Sequence, residues 1–175
     1  MNRSSPTGFG RARAAVLALC LGLILPAGIV RAQTPVTGAA DAESLFTSAD
    51  PRLNRNKQAA YHIMRDLLEA NHWELADRYL TERYIQHNPL AADGRAAVVK
   101  FFTEVLHVKP TPIPAKLTKT KVVSVVAEGD YVVVSVAVDY QEPKDPAKTY
   151  TSTWFDMWRF VDGKADEHWD GATKK

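Results

Sequence analysis

The chain has 175 residues, 46% hydrophobic and 24% charged. That composition suits one domain with its own core and excludes a disordered chain or a disulfide-built miniature. Four of its 22 basic residues (Arg3, Arg11, Arg13 and Arg31) fall in the first 32 positions, which hold no acid. The other 18 face 20 acidic residues, so the body is near neutral and no basic face invites nucleic acid.

Residues 1–32 read as a signal peptide. Arg3, Arg11 and Arg13 give a positive start, residues 14–30 an apolar run broken by Pro26, and Val30-Arg31-Ala32 a small-residue cleavage site before Gln33. The interrupted run is short for a permanent span. The expectation is export to the periplasm or medium, with no stable membrane insertion after cleavage. The single cysteine, Cys20, lies inside the apolar run and leaves with it. The mature body therefore has no thiol, disulfide or cysteine metal site.

Residues 33–53 are rich in small and polar side chains and read as a flexible lead-in. From Asn54, a candidate cap, Tyr61, Met64, Leu67 and Leu68 recur at helical spacing up to a break at Asn71. A second short helix carries Trp73, Leu75, Ala76, Tyr79 and Leu80. Residues 81–92 read as irregular. A third helix is expected from about Asp93 to about His107, with Pro110, Pro112 and Pro114 ending it. The period then changes. Strands are expected over 117–128, 131–140, 150–161 and 165–170, with turns at Gly129-Asp130 and Asp162-Gly163-Lys164. Helices first and antiparallel strands after them predict an α+β fold.

Two segments could carry chemistry. The first is Tyr84, His87 and Asn88: an acid–base histidine beside an amide able to hold an oxygen that gains charge. The second is the C-terminal hairpin. Two-residue alternation puts Trp154, Asp156, Trp158 and Phe160 on one strand face, and Phe155, Met157 and Arg159 on the other. In the next strand His168 and Asp170 share a face, opposite Glu167 and Trp169. Aromatic walls with a few polar anchors suit a ligand pocket. The plainer reading is that the aspartates face solvent near an edge and the histidines bond to backbone. No H-E-x-x-H cluster, glycine-rich phosphate loop or nucleophile elbow occurs, so no metal or cofactor is expected; the one metal alternative is a carboxylate–histidine site built from His87, His168 and Asp170.

The run Tyr84-Ile85-Gln86-His87-Asn88-Pro89, then Asp93-Gly94-Arg95 opening a helix with Phe101-Phe102, resembles the SnoaL-like polyketide cyclase family of the NTF2-like (nuclear transport factor 2-like) superfamily. The ending Trp158-Arg159-Phe160, Asp162-Gly163-Lys164 and Glu167-His168-Trp169-Asp170 resembles it too. The resemblance covers about residues 54–170, within a domain taken as 54–171. It implies a cone of three N-terminal helices packed on a strongly curved antiparallel sheet around an apolar pocket. It further implies an acid–base aspartate near the chain end in a metal-free, cofactor-free aldol closure. The matching residue is Asp170, with His87 and Asn88 on the pocket side. Pairing as a homodimer through the sheet is also implied.

Together these readings give a cofactor-independent lyase or isomerase acting on a small, mostly apolar carbonyl compound. Asp170 would remove a proton, and His87 and Asn88 would steady the enolate oxygen. Tyr84, Trp154, Asp156, Trp158, Phe160 and His168 would line the pocket. Two alternatives use the same sequence: a periplasmic binding protein for a small hydrophobic molecule, and a partner-binding domain whose cone is filled by side chains.

Overall fold

The computed structural model describes residues 33–174. The signal peptide expected over residues 1–32 lies outside the described residues. The segment read as a flexible lead-in is joined to the domain. The backbone N–H groups of Val36 and Ala39 donate to Thr151 and to the Val122 carbonyl, at 2.7 Å each. A short helix, α1 (Ala42–Leu45), follows, and Phe46 behind it is fully buried, edge-on to Tyr61.

Helix α2 (Pro51–His62) starts earlier than the sequence pattern suggests. Asp50, not Asn54, is its cap: the Asp50 carboxylate accepts from the backbone N–H groups of Arg52 and Leu53 at 2.9 Å, and Pro51 takes the first turn. The helix continues as wider π-helical turns over Ile63–Glu69 and stops at Asn71, in the left-handed region (φ 63°). A 3₁₀ turn (Trp73–Leu75) leads into α3 (Ala76–Tyr79). Then comes a strand the sequence did not announce, β1 (Leu80–Gln86). Helix α4 (Arg95–Lys100) also widens into π-helical turns, over Phe101–Val105. Strands β2 (Lys121–Glu128), β3 (Tyr131–Glu142), β4 (Asp145–Val161) and β5 (Lys164–Asp170) complete the chain.

The fold is α+β, but the expected sheet needs correction. The five strands are ordered β1-β5-β4-β3-β2, and β1 runs parallel to β5. The sheet is therefore mixed, open at β1 and β2, and not strongly curved. The helices do not all precede it either, since β1 separates α3 from α4. β1 thus lies beside the last strand of the chain and not beside β2, the strand that follows it in sequence. Its charged middle, Glu82 and Arg83, hid it from the sequence pattern: only Leu80 and Tyr84 are buried. Such charges suit an edge.

Two hairpins form as read. Asp162 (φ 50°) and Gly163 (φ 80°) make the two-residue turn between β4 and β5. In β5 one extra residue opposes β4, because Arg159 pairs with Glu167 while Phe160 pairs with Ala165. This bulge leaves both Asp166 and Glu167 beside Arg159, at 2.5 and 2.8 Å. Arg83 of β1 closes on the same Asp166.

The helices cover one face of the sheet. Leu67, Leu80, Val98, Val122, Val132, Val134, Trp158 and Phe160 form a single buried core. The proline-rich crossing before β2 is fastened by Glu69. This buried carboxylate accepts from Thr118 N–H and Thr118 Oγ1 at 2.8 Å and from Thr120 N–H at 2.9 Å. Burial pushes the Glu69 carboxyl up, but the bonds from Thr118 and Thr120 outweigh it and hold the group below its ordinary value.

Candidate functional site

Between the helices and the covered sheet face lies a cavity of about 240 Å³. Its apolar wall has three sources: Ile63, Leu67 and Leu68 from the widened end of α2, Val98, Phe101 and Phe102 from α4, and Trp73, whose ring stacks on Phe102 at 3.8 Å. The π-helical turns in both helices fall where these side chains are delivered.

The opposite wall is sheet, and its polar groups converge. Asp156 and Asp170 are directly opposite one another on β4 and β5, and Trp158 is opposite His168. Trp154, Asp156, Trp158, His168 and Asp170 all line the cavity, so the alternation read from the sequence survives the β5 bulge, which lies beyond these pairs. Asp156, His168 and Asp170 bring their terminal N and O atoms within 4.8 Å of one another.

Each of these groups already meets a protein partner. Asn88 Nδ2 donates to Asp170 Oδ2 at 2.7 Å, and the Ala172 N–H donates to Oδ1 at 2.9 Å. Trp154 Nε1 donates to Asp156 Oδ1 at 3.3 Å. His168 Nε2 meets the same oxygen at 3.1 Å, and its Nδ1 meets Gln86 Oε1 at 2.6 Å. A carboxylate–imidazole trio has donor atoms a divalent ion can use. The same three groups also have the chemistry to hold and move a proton.

Tyr84 sits beside the trio. Its hydroxyl oxygen accepts from Trp158 Nε1 at 3.1 Å. Burial is the main cause that raises the Tyr84 phenol well above its ordinary range, with the nearby Asp156 and Asp170 adding to it. The phenol therefore keeps its proton at neutral pH, and its O–H remains available as a donor.

Most of the predicted site residues meet: Tyr84, Asn88, Trp154, Asp156, Trp158, His168 and Asp170 all line the cavity. Two expectations need correction. His87 lies on the other face of the sheet, stacked on Trp169 at 4.7 Å with Nε2 2.9 Å from Glu167 Oε1. Alternation along β1 is the reason, because Gln86 pairs with His168 on the inner face and the next residue must turn outward. Phe160 is buried core and does not reach the cavity. Gln86 was missed. Had residues 80–86 been read as a strand, Tyr84 and Gln86 would have shared a face.

Local sequence explains how β1 delivers these groups. Asp93 Oδ1 accepts from the Gln86 N–H at 2.8 Å, and the Gly94 N–H donates to the Tyr84 carbonyl at 3.0 Å. Gly94 has φ 95°, a backbone that L side chains rarely adopt, and this lets the loop fold back before α4. The loop between them is turned by Asn88, whose Oδ1 accepts from the Leu90 N–H at 2.8 Å.

A family model described as a SnoaL-like domain matches residues 62–168. Among curated proteins no sequence matches. Solved structures do. One is a protein provisionally described as a polyketide cyclase from Acidithiobacillus ferrooxidans, with a TM-score of 0.50 and 16% identity over 71% of this chain and 89% of that one. A second, so described from Bacillus cereus, gives 0.48 and 15% over 78% and 84%. A third, described as SnoaL-like from Jannaschia, gives 0.46 and 15% over 79% and 88%. At these identities the likeness is one of fold.

Proposed function

Because the chain belongs to the SnoaL-like family, we propose that its cavity takes a small, mostly apolar carbonyl compound and that Asp170 moves a proton on the carbon beside that carbonyl. The observation that carries this reading is the Asn88–Asp170 contact on the polar wall of the cavity, facing an apolar one. A carboxylate pinned by an amide and a backbone N–H keeps one orientation, which is what a positioned base needs. The Tyr84 O–H offers the hydrogen bond that charge developing on the substrate oxygen would require. That role, given to His87 from sequence, moves to Tyr84. The reaction class is lyase or isomerase, by enolate chemistry.

The cavity itself argues against the filled-cone alternative. A binding protein without turnover would use the same cavity, and Asp170 separates the two readings. Three indoles, Trp73, Trp154 and Trp158, line the cavity, so ligand entry should change tryptophan fluorescence. Titration with small cyclic and aliphatic ketones should show saturable quenching, and Val98→Trp, which fills the cavity, should abolish it. Quenching that survives Val98→Trp would place the ligand elsewhere.

A further inference from the structure

On that reading, Asp170 supplies a base but no acid. The hydrogen bonds around His168 point to one. The Asn88 backbone N–H reaches toward Gln86 Oε1 at 3.4 Å, which favours that atom as the acceptor end of the amide. His168 Nδ1, 2.6 Å from the same oxygen, must then carry a proton. The other ring nitrogen, Nε2, faces Asp156 Oδ1 at 3.1 Å. A bare imidazole nitrogen and a bare carboxylate oxygen are both acceptors and repel at that distance. One proton must lie between them, on the ring or on the carboxyl.

We propose that Asp156 and His168 hold one exchangeable proton between them and act as the general acid opposite Asp170, with Gln86 as the positioning residue that fixes the ring's tautomer. One further feature favours a proton kept there. Asp156 faces Asp170 directly across the strands, and two like charges opposite one another in a low-dielectric cavity repel.

The step balances with no further reactant. The Asp170 carboxylate takes the C–H proton, and the C–H electron pair becomes the carbon–carbon double bond of the enol. The carbonyl π pair moves onto oxygen. That oxygen takes the proton of the Asp156–His168 pair. Return of both protons, with carbon reprotonated at the same or a conjugated position, restores the protein. The 4.8 Å limit on the separations within the trio lets base and acid reach the two ends of one carbonyl unit.

The test begins on the wild-type protein without ligand. Long-range nitrogen–proton NMR of His168 should show Nδ1 protonated throughout about pH 5 to about pH 8, the interval in which histidine ordinarily titrates. A bare Nδ1 with a proton fixed on Nε2 would overturn the proposal, whatever Asp170 does. Gln86→Leu should release the tautomer, and Gln86→Glu, which keeps an acceptor oxygen, should restore it. With a ketone that exchanges its α-hydrogens in heavy water, Asp156→Asn should slow exchange about 100-fold, the usual scale of general-acid catalysis, with binding by tryptophan fluorescence retained. Unchanged exchange in Asp156→Asn overturns the acid role and leaves the base role standing. Loss of the base role would appear separately, as unchanged exchange in Asp170→Asn.

Discussion

Asn88 spends both ends of its amide: Nδ2 donates to Asp170 Oδ2 at 2.7 Å, while Oδ1 accepts from the Leu90 N–H at 2.8 Å. The second bond fixes which end faces the aspartate. An asparagine placed before a proline thus orients a carboxylate 82 residues later.

Asn88→Leu removes the donor without adding charge. Asp170 keeps only the Ala172 N–H and loses its fixed orientation. Turnover of an identified substrate should fall about 10- to 100-fold, as for a modestly misplaced catalytic group. Stability should fall by only about 1 kcal/mol. Steady-state rates beside a urea melt separate the two effects. An unchanged rate would show that Asn88 does not position the base.

His87→Ala makes the opposite prediction. His87 stacks on Trp169 and faces Glu167 on the outer sheet face, so ligand affinity and turnover should stay at wild-type values. A large loss of either would return His87 to the site.

Asp166 controls an acid-sensitive part of the stability. The Arg83 guanidinium, with Thr81 and Arg159 helping against the cost of burial, lowers its carboxyl from 3.8 to about 2. A carboxyl lowered on folding stabilises fully above its unfolded value and loses that contribution as pH falls through the folded one. The wild-type urea midpoint should therefore drop between about pH 4 and about pH 2, and Glu69, also lowered, adds in the same direction. Asp166→Asn should cost about 2 kcal/mol at neutral pH and flatten the profile in that window. An equally steep profile in the variant would assign the acid sensitivity elsewhere.

The outer sheet face is proposed to pair two copies. Phe155 and Tyr131 are exposed there, 54% and 44%, and Tyr131 lies 6.1 Å from Trp169. A bare apolar face of this kind favours association. Light scattering at micromolar concentration should give a dimer, and Phe155→Asp a monomer. A monomeric wild type would refute the pairing.

Export remains a proposal from sequence. Among the described residues no helix is long and apolar enough to cross a membrane. Mass spectrometry of protein from the exporting organism should find Gln33 at the amino terminus. Retention of residues 1–32 in the mature protein would contradict it.

How far the sequence could be read depended on the kind of pattern. Period-two alternation in β4 and β5 placed Asp156, Trp158, His168 and Asp170 on one face, because every second residue of a strand must share a side. The Asp162-Gly163 turn was equally legible, since few residues accept positive φ twice in succession. β1 was not. An edge strand with two buried side chains and a parallel neighbour has little hydrophobic pattern of its own, and its pairing with β5 is a relation between residues about 80 apart. Missing it hid Gln86 and turned His87 the wrong way. The openness of the sheet also lay beyond local pattern, because curvature is set by how whole strands pair.

Asp170 is proposed to move a proton on a carbon beside a carbonyl held in this cavity. Small ketones that quench the cavity tryptophans can be incubated with the protein in heavy water and their α-hydrogens followed by NMR. Wild type should take up deuterium, and Asp170→Asn should lose about 100-fold or more of that uptake while still binding the ketone. Equal uptake by Asp170→Asn, or no uptake by wild type from any ketone it binds, would contradict it.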